Sequence, residues 1–252
     1  FSSVALVDVD DEAGERRMIK GQSVRVEALS GFDFSSVAVA IVAGEREFGL
    51  QCIGAIRDAG ALVVDTTGLL AGQGASVVAE VNPQALADAA QRRAVSCPDA
   101  QVVQSALVLK ALAGMSDLRR VSISTYQSMS THSKAAVEGL AMQTGRLLNG
   151  QPIEKGGVLD KQVAFNLLPA TSEIDASGAS REERDLVNGV IDVLGLKDVP
   201  VLASCVLVPL FYGTAQMMQV TTAEPLDSKK VGNILRRVKG IKVLDKEAMG
   251  LR

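Results

Sequence analysis

Chemistry in this chain of 252 residues has to come from a short list of side chains. There is one histidine, His132, and there are three cysteines, Cys52, Cys97 and Cys205. A single imidazole cannot build a multi-histidine metal site, and no metal is expected. Cys97-Pro98-Asp99-Ala100 precedes a periodic apolar run, Val102, Val103, Ala106, Leu107 and Leu109, which makes Asp99 the N-cap of a helix. A helix start is electropositive, and a thiol beside it can be drawn into the nucleophilic thiolate form. The competing reading is a capped structural helix with a buried Cys97 next to it. Cys52 falls on a helical apolar face and Cys205 in an apolar strand, so both read as core. His132 stands in Ser130-Thr131-His132-Ser133, between a strand and a helix, as a hydrogen-bonding loop residue or an acid/base group.

Two other signals are weak. Gly72-Gln73-Gly74 is a bare G-x-G, and no G-x-G-x-x-G turn occurs to cradle a pyrophosphate. The basic cluster Lys229, Lys230, Arg236, Arg237 and Lys239 is spaced like the wet face of a helix. With 26 basic and 29 acidic residues the chain has no net field to attract nucleic acid. Its longest apolar run, Val199 to Tyr212, is shorter than the roughly 18–20 residues of a membrane span and contains Pro200 and Pro209. No signal peptide is read at the start, and isolated cysteines suit a reducing cytoplasm. A 47% hydrophobic composition supports one large or two modest domains and argues against disorder.

Short β-branched runs alternate with helical patterns through the first hundred residues. Strands are expected at Val4–Val9, Val24–Val26, Val37–Val42, Ala61–Val64 and Val77–Val81, with helices at Leu50–Ala59 and Pro83–Gln91. That alternation predicts an α/β unit with a largely parallel sheet. A second region begins near Ala113-Gly114. It comprises a strand over Val121–Thr125, a helix over Ser133–Leu148 stopped by Asn149-Gly150, and a helix over Arg181–Leu194. Strands around Val201–Leu210 and Met217–Thr222 follow, then a helix over Asp227–Val238. Their order predicts an α+β domain with helices on one face of a single sheet.

Several segments together resemble the aspartate-semialdehyde dehydrogenase family: Ala79-Glu80-Val81-Asn82-Pro83, Val121 to Gln127, Gln162 to Pro169, Glu182 to Asn188, and Val208 to Gly213. They run in family order over nearly all of the chain to about Asp245. The resemblance implies a Rossmann-like NAD(P)-binding domain, placed at residues 1–112, and an α+β substrate and dimerisation domain at 113–252. It also implies a homodimer or homotetramer through the second domain. Relative to that pattern a first strand and glycine turn would precede Phe1, and a C-terminal stretch would follow.

In the family, as the resemblance implies, a cysteine at a helix start attacks the semialdehyde carbonyl. Hydride then passes to NADP, and phosphate releases the thioester. Carried over by position, the nucleophile is here Ala100, the arginine that holds the substrate carboxylate is Leu207, and the acid/base histidine is Thr214. A family lysine is here Asp185, and the active-site glutamine is retained as Gln127. The family's Ser-Gly-Ala-Gly loop reads Ser130-Thr131-His132-Ser133. On the cofactor side the matching positions are Asp10, Asp11, Glu12, Ala43, Gly44, Thr66 and Thr67. Three carboxylates where the family receives a 2′-phosphate would repel it, and they suit a free ribose diol. No cofactor is assigned with certainty, and NAD is favoured over NADP.

The resulting expectation is a catalytically degenerate member, resembling the USG-type paralogues, with a binding or assembly role. The alternative is an active NAD(P)-dependent oxidoreductase of amino-acid biosynthesis with altered specificity, in which Cys97 and His132 form a substitute dyad. The remaining possibilities are an authentic aspartate-semialdehyde dehydrogenase in a different register, or another function entirely.

Overall fold

The computed structural model describes residues 3–44, 46–153, 161–169 and 172–244. The chain divides into two compact units, Phe1–Val78 with Pro83–Pro98, and Ala79–Asn82 with Asp99–Arg252. The helix that follows Asp99 packs with the second unit, whereas sequence organisation placed the change of domain after residue 112.

The first unit is a Rossmann-like α/β arrangement. Strands β1 (Leu6–Asp8), β2 (Arg16–Ile19) and β3 (Gln22–Ala28) form one three-stranded sheet in the order β1-β3-β2, with β1 and β3 parallel. Strands β4 (Val39–Val42), β5 (Leu62–Asp65), β6 (Ala75–Ser76) and β7 (Ala94–Ser96) form a second, parallel sheet in the order β4-β5-β7-β6. Helix α1 (Arg46–Asp58) turns Cys52, Ile53 and Ile56 onto Val42, Ala61 and Val63, and Cys52 is core as its apolar neighbours imply. The strand expected over Val77–Val81 does not form. Only Ala75–Ser76 pairs with β7, and residues 79–81 turn instead. Helix α2 spans Leu86–Arg92, after a 3-10 turn at Pro83–Ala85.

The second unit is α+β. Its sheet runs β10 (Thr214–Thr222), β8 (Leu118–Gln127), β9 (Val201–Leu207), with β8 antiparallel to β10 and parallel to β9. Helices α3 (Ala100–Ala113) and α5 (Arg181–Leu194) cover one face. Val102, Ala106 and Leu109 of α3 and Leu186, Val190 and Val193 of α5 are buried with Val121, Ile123 and Cys205 of the sheet. The opposite face leaves Tyr126, Leu202 and Met217 exposed. Helix α4 (Lys134–Leu148) packs Ala136 and Leu140 on Met129, Val163, Leu168 and Leu207. Helix α6 (Ser228–Leu235) starts on Asp227, whose carboxylate accepts from the Lys230 N–H.

Among the described residues no helix is long and apolar enough to cross a membrane. No cluster of three or more His, Cys, Asp or Glu among them could hold a metal ion.

Candidate functional site

The register of the second unit's sheet assembles three of the positions singled out from sequence. Gln127, the last residue of β8, pairs with Leu207 of β9 on one side and Thr214 of β10 on the other. Leu207, Gln127 and Thr214 therefore form one cross-strand row, and residues in such a row turn to the same face of a sheet. The first turn of α3 lies against that row. Asp99 caps the helix, its Oδ1 accepting from the Gln101 N–H at 2.8 Å, and Ala100 is the first helical residue. From the next position Gln101 reaches back to Gln127, at 2.9 Å.

The side chains in this row carry little of the expected chemistry. Ala100 is exposed and offers a methyl group. Leu207 is 2% exposed and packs into the cluster of Met129, Ala136, Leu140, Val163 and Leu168. Its N–H and carbonyl are both bonded to Leu168, at 2.8 and 3.0 Å. A guanidinium placed there would enter an apolar core, where an unpaired charge is costly. Thr214 is half-buried at the start of β10. Asp185 lies exposed on α5, outside the row. That helix begins with a reciprocal cap: Ser180 Oγ accepts from the Glu183 N–H at 3.3 Å, and Glu183 Oε2 accepts from the Ser180 N–H at 2.8 Å. Glu183 also accepts from the Cys205 N–H at 3.2 Å, pinning α5 to β9.

His132 follows a 3-10 turn, Met129–Thr131, that is bonded to the backbone of Leu210 and Phe211 at 2.9 and 3.1 Å. Its imidazole is not the solvated loop group that its sequence context suggests. Nε2 is buried without a hydrogen-bond partner. Burial holds the imidazole below its ordinary pKa, and the nearby Glu182 carboxylate pulls the other way.

In the first unit the register aligns the carboxyl ends of β4, β5 and β7, with Val42 opposite Asp65 and Asp65 opposite Ser96. Ala43-Gly44, Thr66-Thr67 and Cys97 consequently emerge at one edge, where open parallel sheets bind ligands. Gly44 has φ +117°, a conformation that glycine alone adopts without strain. The hydroxyls nearby are already used: Thr66 Oγ1 donates to the Val42 carbonyl at 3.0 Å, and Thr67 Oγ1 to Asp65 Oδ1 at 2.6 Å. Asp65, fully buried, also accepts from the Thr67 and Leu70 N–H groups at 2.8 and 2.7 Å. Asp10, Asp11 and Glu12 form a 3-10 turn after β1. Asp10 accepts from the Ser30 N–H at 3.2 Å, and Glu12 lies 3.6 Å from Arg17. This acidic turn contributes no basic side chain of its own to a 2′-phosphate.

Cys97 packs beside Ala75, Ala89 and Val95, and its N–H is bonded to the Asp65 carbonyl at 2.8 Å. Burial, with the Asp65 charge adding to it, pushes the thiol above its ordinary pKa. The thiol is half-buried, and this direction is opposite to the activation that a neighbouring helix start suggests. Cys97 lies in the first unit and His132 in the second. Cys205 is buried, its thiol pushed up to about 11 chiefly by burial.

A Rossmann-like unit followed by an α+β unit with this row at its sheet end defines a two-domain dehydrogenase-type architecture. Residues 109–251 match the family model described as semialdehyde dehydrogenase, dimerisation domain. The chain is 32% identical over 232 residues to aspartate-semialdehyde dehydrogenase 2 of Vibrio cholerae, covering 91% of this chain and 68% of that protein. It is 34% identical to a USG-1 protein homolog of Pseudomonas aeruginosa over 92% of this chain and 69% of that one. A solved structure of a probable aspartate-semialdehyde dehydrogenase from Pseudomonas aeruginosa superposes with a TM-score of 0.92 at 32% identity, covering 98% of this chain and 74% of that one. The chain belongs to the aspartate-semialdehyde dehydrogenase family, which includes USG-1-like members.

Proposed function

We propose that this chain has lost the family's dehydrogenase chemistry and serves as a non-catalytic binding or assembly member. The observation that carries the reading is the row at the end of the second sheet. A methyl at Ala100 cannot form a thiohemiacetal, an isobutyl at Leu207 sits in core, and a hydroxyl at Thr214 replaces the acid/base group. Loss of a nucleophile alone costs several orders of magnitude in rate, and here the groups that would bind the substrate are missing as well.

The test is turnover of aspartate semialdehyde with phosphate and NAD or NADP, followed by the absorbance of the reduced nicotinamide. No turnover is expected from the unmodified chain. Turnover abolished by Cys97→Ser would overturn the reading and establish the alternative, an altered oxidoreductase using Cys97 and His132. The raised thiol of Cys97 and the burial of His132 Nε2 with no hydrogen-bond partner speak against that alternative.

The dinucleotide fits the first unit only in part. Ala43 and Gly44 leave open backbone at the strand ends, but the Thr66 and Thr67 hydroxyls are spent on protein acceptors. The acids of residues 10–12 suit a ribose diol and oppose a phosphate of about −2 charge. Any dinucleotide held there is NAD, and tighter binding of NADP in a calorimetric titration would refute this assignment. We place the role of the second unit in self-association, as a homodimer or homotetramer through its sheet. The three free thiols suit a reducing compartment such as the cytoplasm.

A further inference from the structure

Gln127, the one family site position kept in this chain, is bonded within the protein. Its Nε2 donates to Gln101 Oε1 at 2.9 Å and to Thr125 Oγ1 at 3.2 Å. A primary amide has two N–H donors, and both are spent. The Gln101 end is also fastened, because its backbone carbonyl accepts from Gln216 Nε2 at 2.9 Å. Ser105 Oγ in turn donates to Gln216 Oε1 at 2.8 Å. Gln101, in the first turn of α3, thus joins Gln127 of β8 through its side chain and Gln216 of β10 through its backbone carbonyl. Gln101 is 8% exposed and Gln127 4%, so opening either contact strands a polar group out of water.

We infer that Gln101 is a positioning residue that locks Gln127 in this inward pose, leaving the retained amide no N–H to offer a ligand. Only its carbonyl oxygen is left unbonded. A carbonyl, a carboxylate or a tetrahedral oxyanion needs a donor, and the Gln127 amide has none left to give. This inference rests on the proposed loss of family chemistry. It adds that replacing the missing nucleophile, arginine and histidine would not by itself reopen the site.

Side-chain amide exchange measured by NMR on the full chain reads the lock directly. In the unmodified protein the Gln127 Nε2 protons, identified by their loss in Gln127→Met, exchange at least about tenfold more slowly than those of exposed Gln151. Gln101→Met keeps the volume and removes the acceptor, and it lowers that protection by about tenfold. Gln101→Glu keeps an acceptor oxygen and retains it. Exchange of Gln127 as fast as that of Gln151 in the unmodified chain would overturn the inference, as would unchanged protection in a folded Gln101→Met. If Gln101→Met does not fold, the comparison within the unmodified chain still decides. Because exchange is read without turnover, dehydrogenase activity in the unmodified chain would sink the proposed loss of catalysis and leave the lock standing or falling on its own result.

Discussion

Cys97 separates what a residue's sequence neighbours say about reactivity from what its packing does. The cap at Asp99 is local, a side chain reaching the N–H two residues on, and it is legible from Asp99 and the apolar run that follows. Asp65 and Ala75 reach Cys97 through the register of β5, β6 and β7 and Ala89 through the packing of α2, neither of which the residues flanking Cys97 reveal. Since the thiolate is the reactive form, alkylation of Cys97 is expected to be slower at neutral pH than that of a free thiol. Its rate should climb with a midpoint above the ordinary cysteine range, read by mass spectrometry of the Cys97 peptide across pH. A midpoint below that of free cysteine would sink the assignment. His132 titrates with the opposite consequence. Its folded pKa lies below the ordinary 6.5, so as pH falls through 6.5 the unfolded chain takes up the proton first and stability is lost. His132→Gln should flatten that contribution in thermal melts between about pH 7.5 and about pH 5.5. An unchanged slope would show that His132 is not its source.

At the scale of elements, helices were more legible than sheets because their signals are local. The helix expected over Arg181–Leu194 forms with those bounds, its apolar stripe and its end at Gly195 both being local features. Strand β7 has three residues, and β2 begins with two arginines, so neither carries an apolar alternation long enough to read. The row of Leu207, Gln127 and Thr214 could be suspected from the resemblance, but only register puts the three side by side. Packing between α3 and α5 gives a sharp test. A Cβ added at Gly189 of α5 would lie 2.7 Å from Val102 Cγ2 and 3.2 Å from its Cγ1, on a short β-branched side chain with little freedom to yield. Overpacking of about 1–3 kcal/mol then outweighs the roughly 1 kcal/mol that alanine gains over glycine in a helix. Gly189→Ala should therefore lower unfolding stability by about 1 kcal/mol. At Gly139 of α4 the same Cβ meets nothing within 4 Å, and Gly139→Ala should raise stability by about the same amount. Equal signs in denaturant melts would contradict the packing described.

For the whole molecule, the question is what covers the second sheet's open face. Tyr126, Leu202 and Met217 lie on it, respectively 37%, 50% and 61% exposed, and their cross-strand neighbours include Val206 and Ala215. Helices α3 and α5 bury only the other face. Ser122, Ser124 and Ser204 lie between them, so the face mixes exposed apolar and polar side chains as interfaces do, and it lies within the segment that matches a dimerisation-domain family. A sheet face of this kind can supply the roughly 800 Å² per partner of a standard interface. The chain is accordingly expected to sediment at twice its mass or a higher even multiple. Leu202→Lys with Met217→Lys would place two ammonium groups on this face, and removing them from water unpaired is unfavourable. The double variant should weaken association by more than about 100-fold, near 3 kcal/mol, in sedimentation equilibrium. Both positions are exposed within one chain, so its fold, followed by circular dichroism, should survive the change. A monomeric unmodified chain, or a double variant that associates as before, would remove this face from the assembly and with it the role proposed for the second unit.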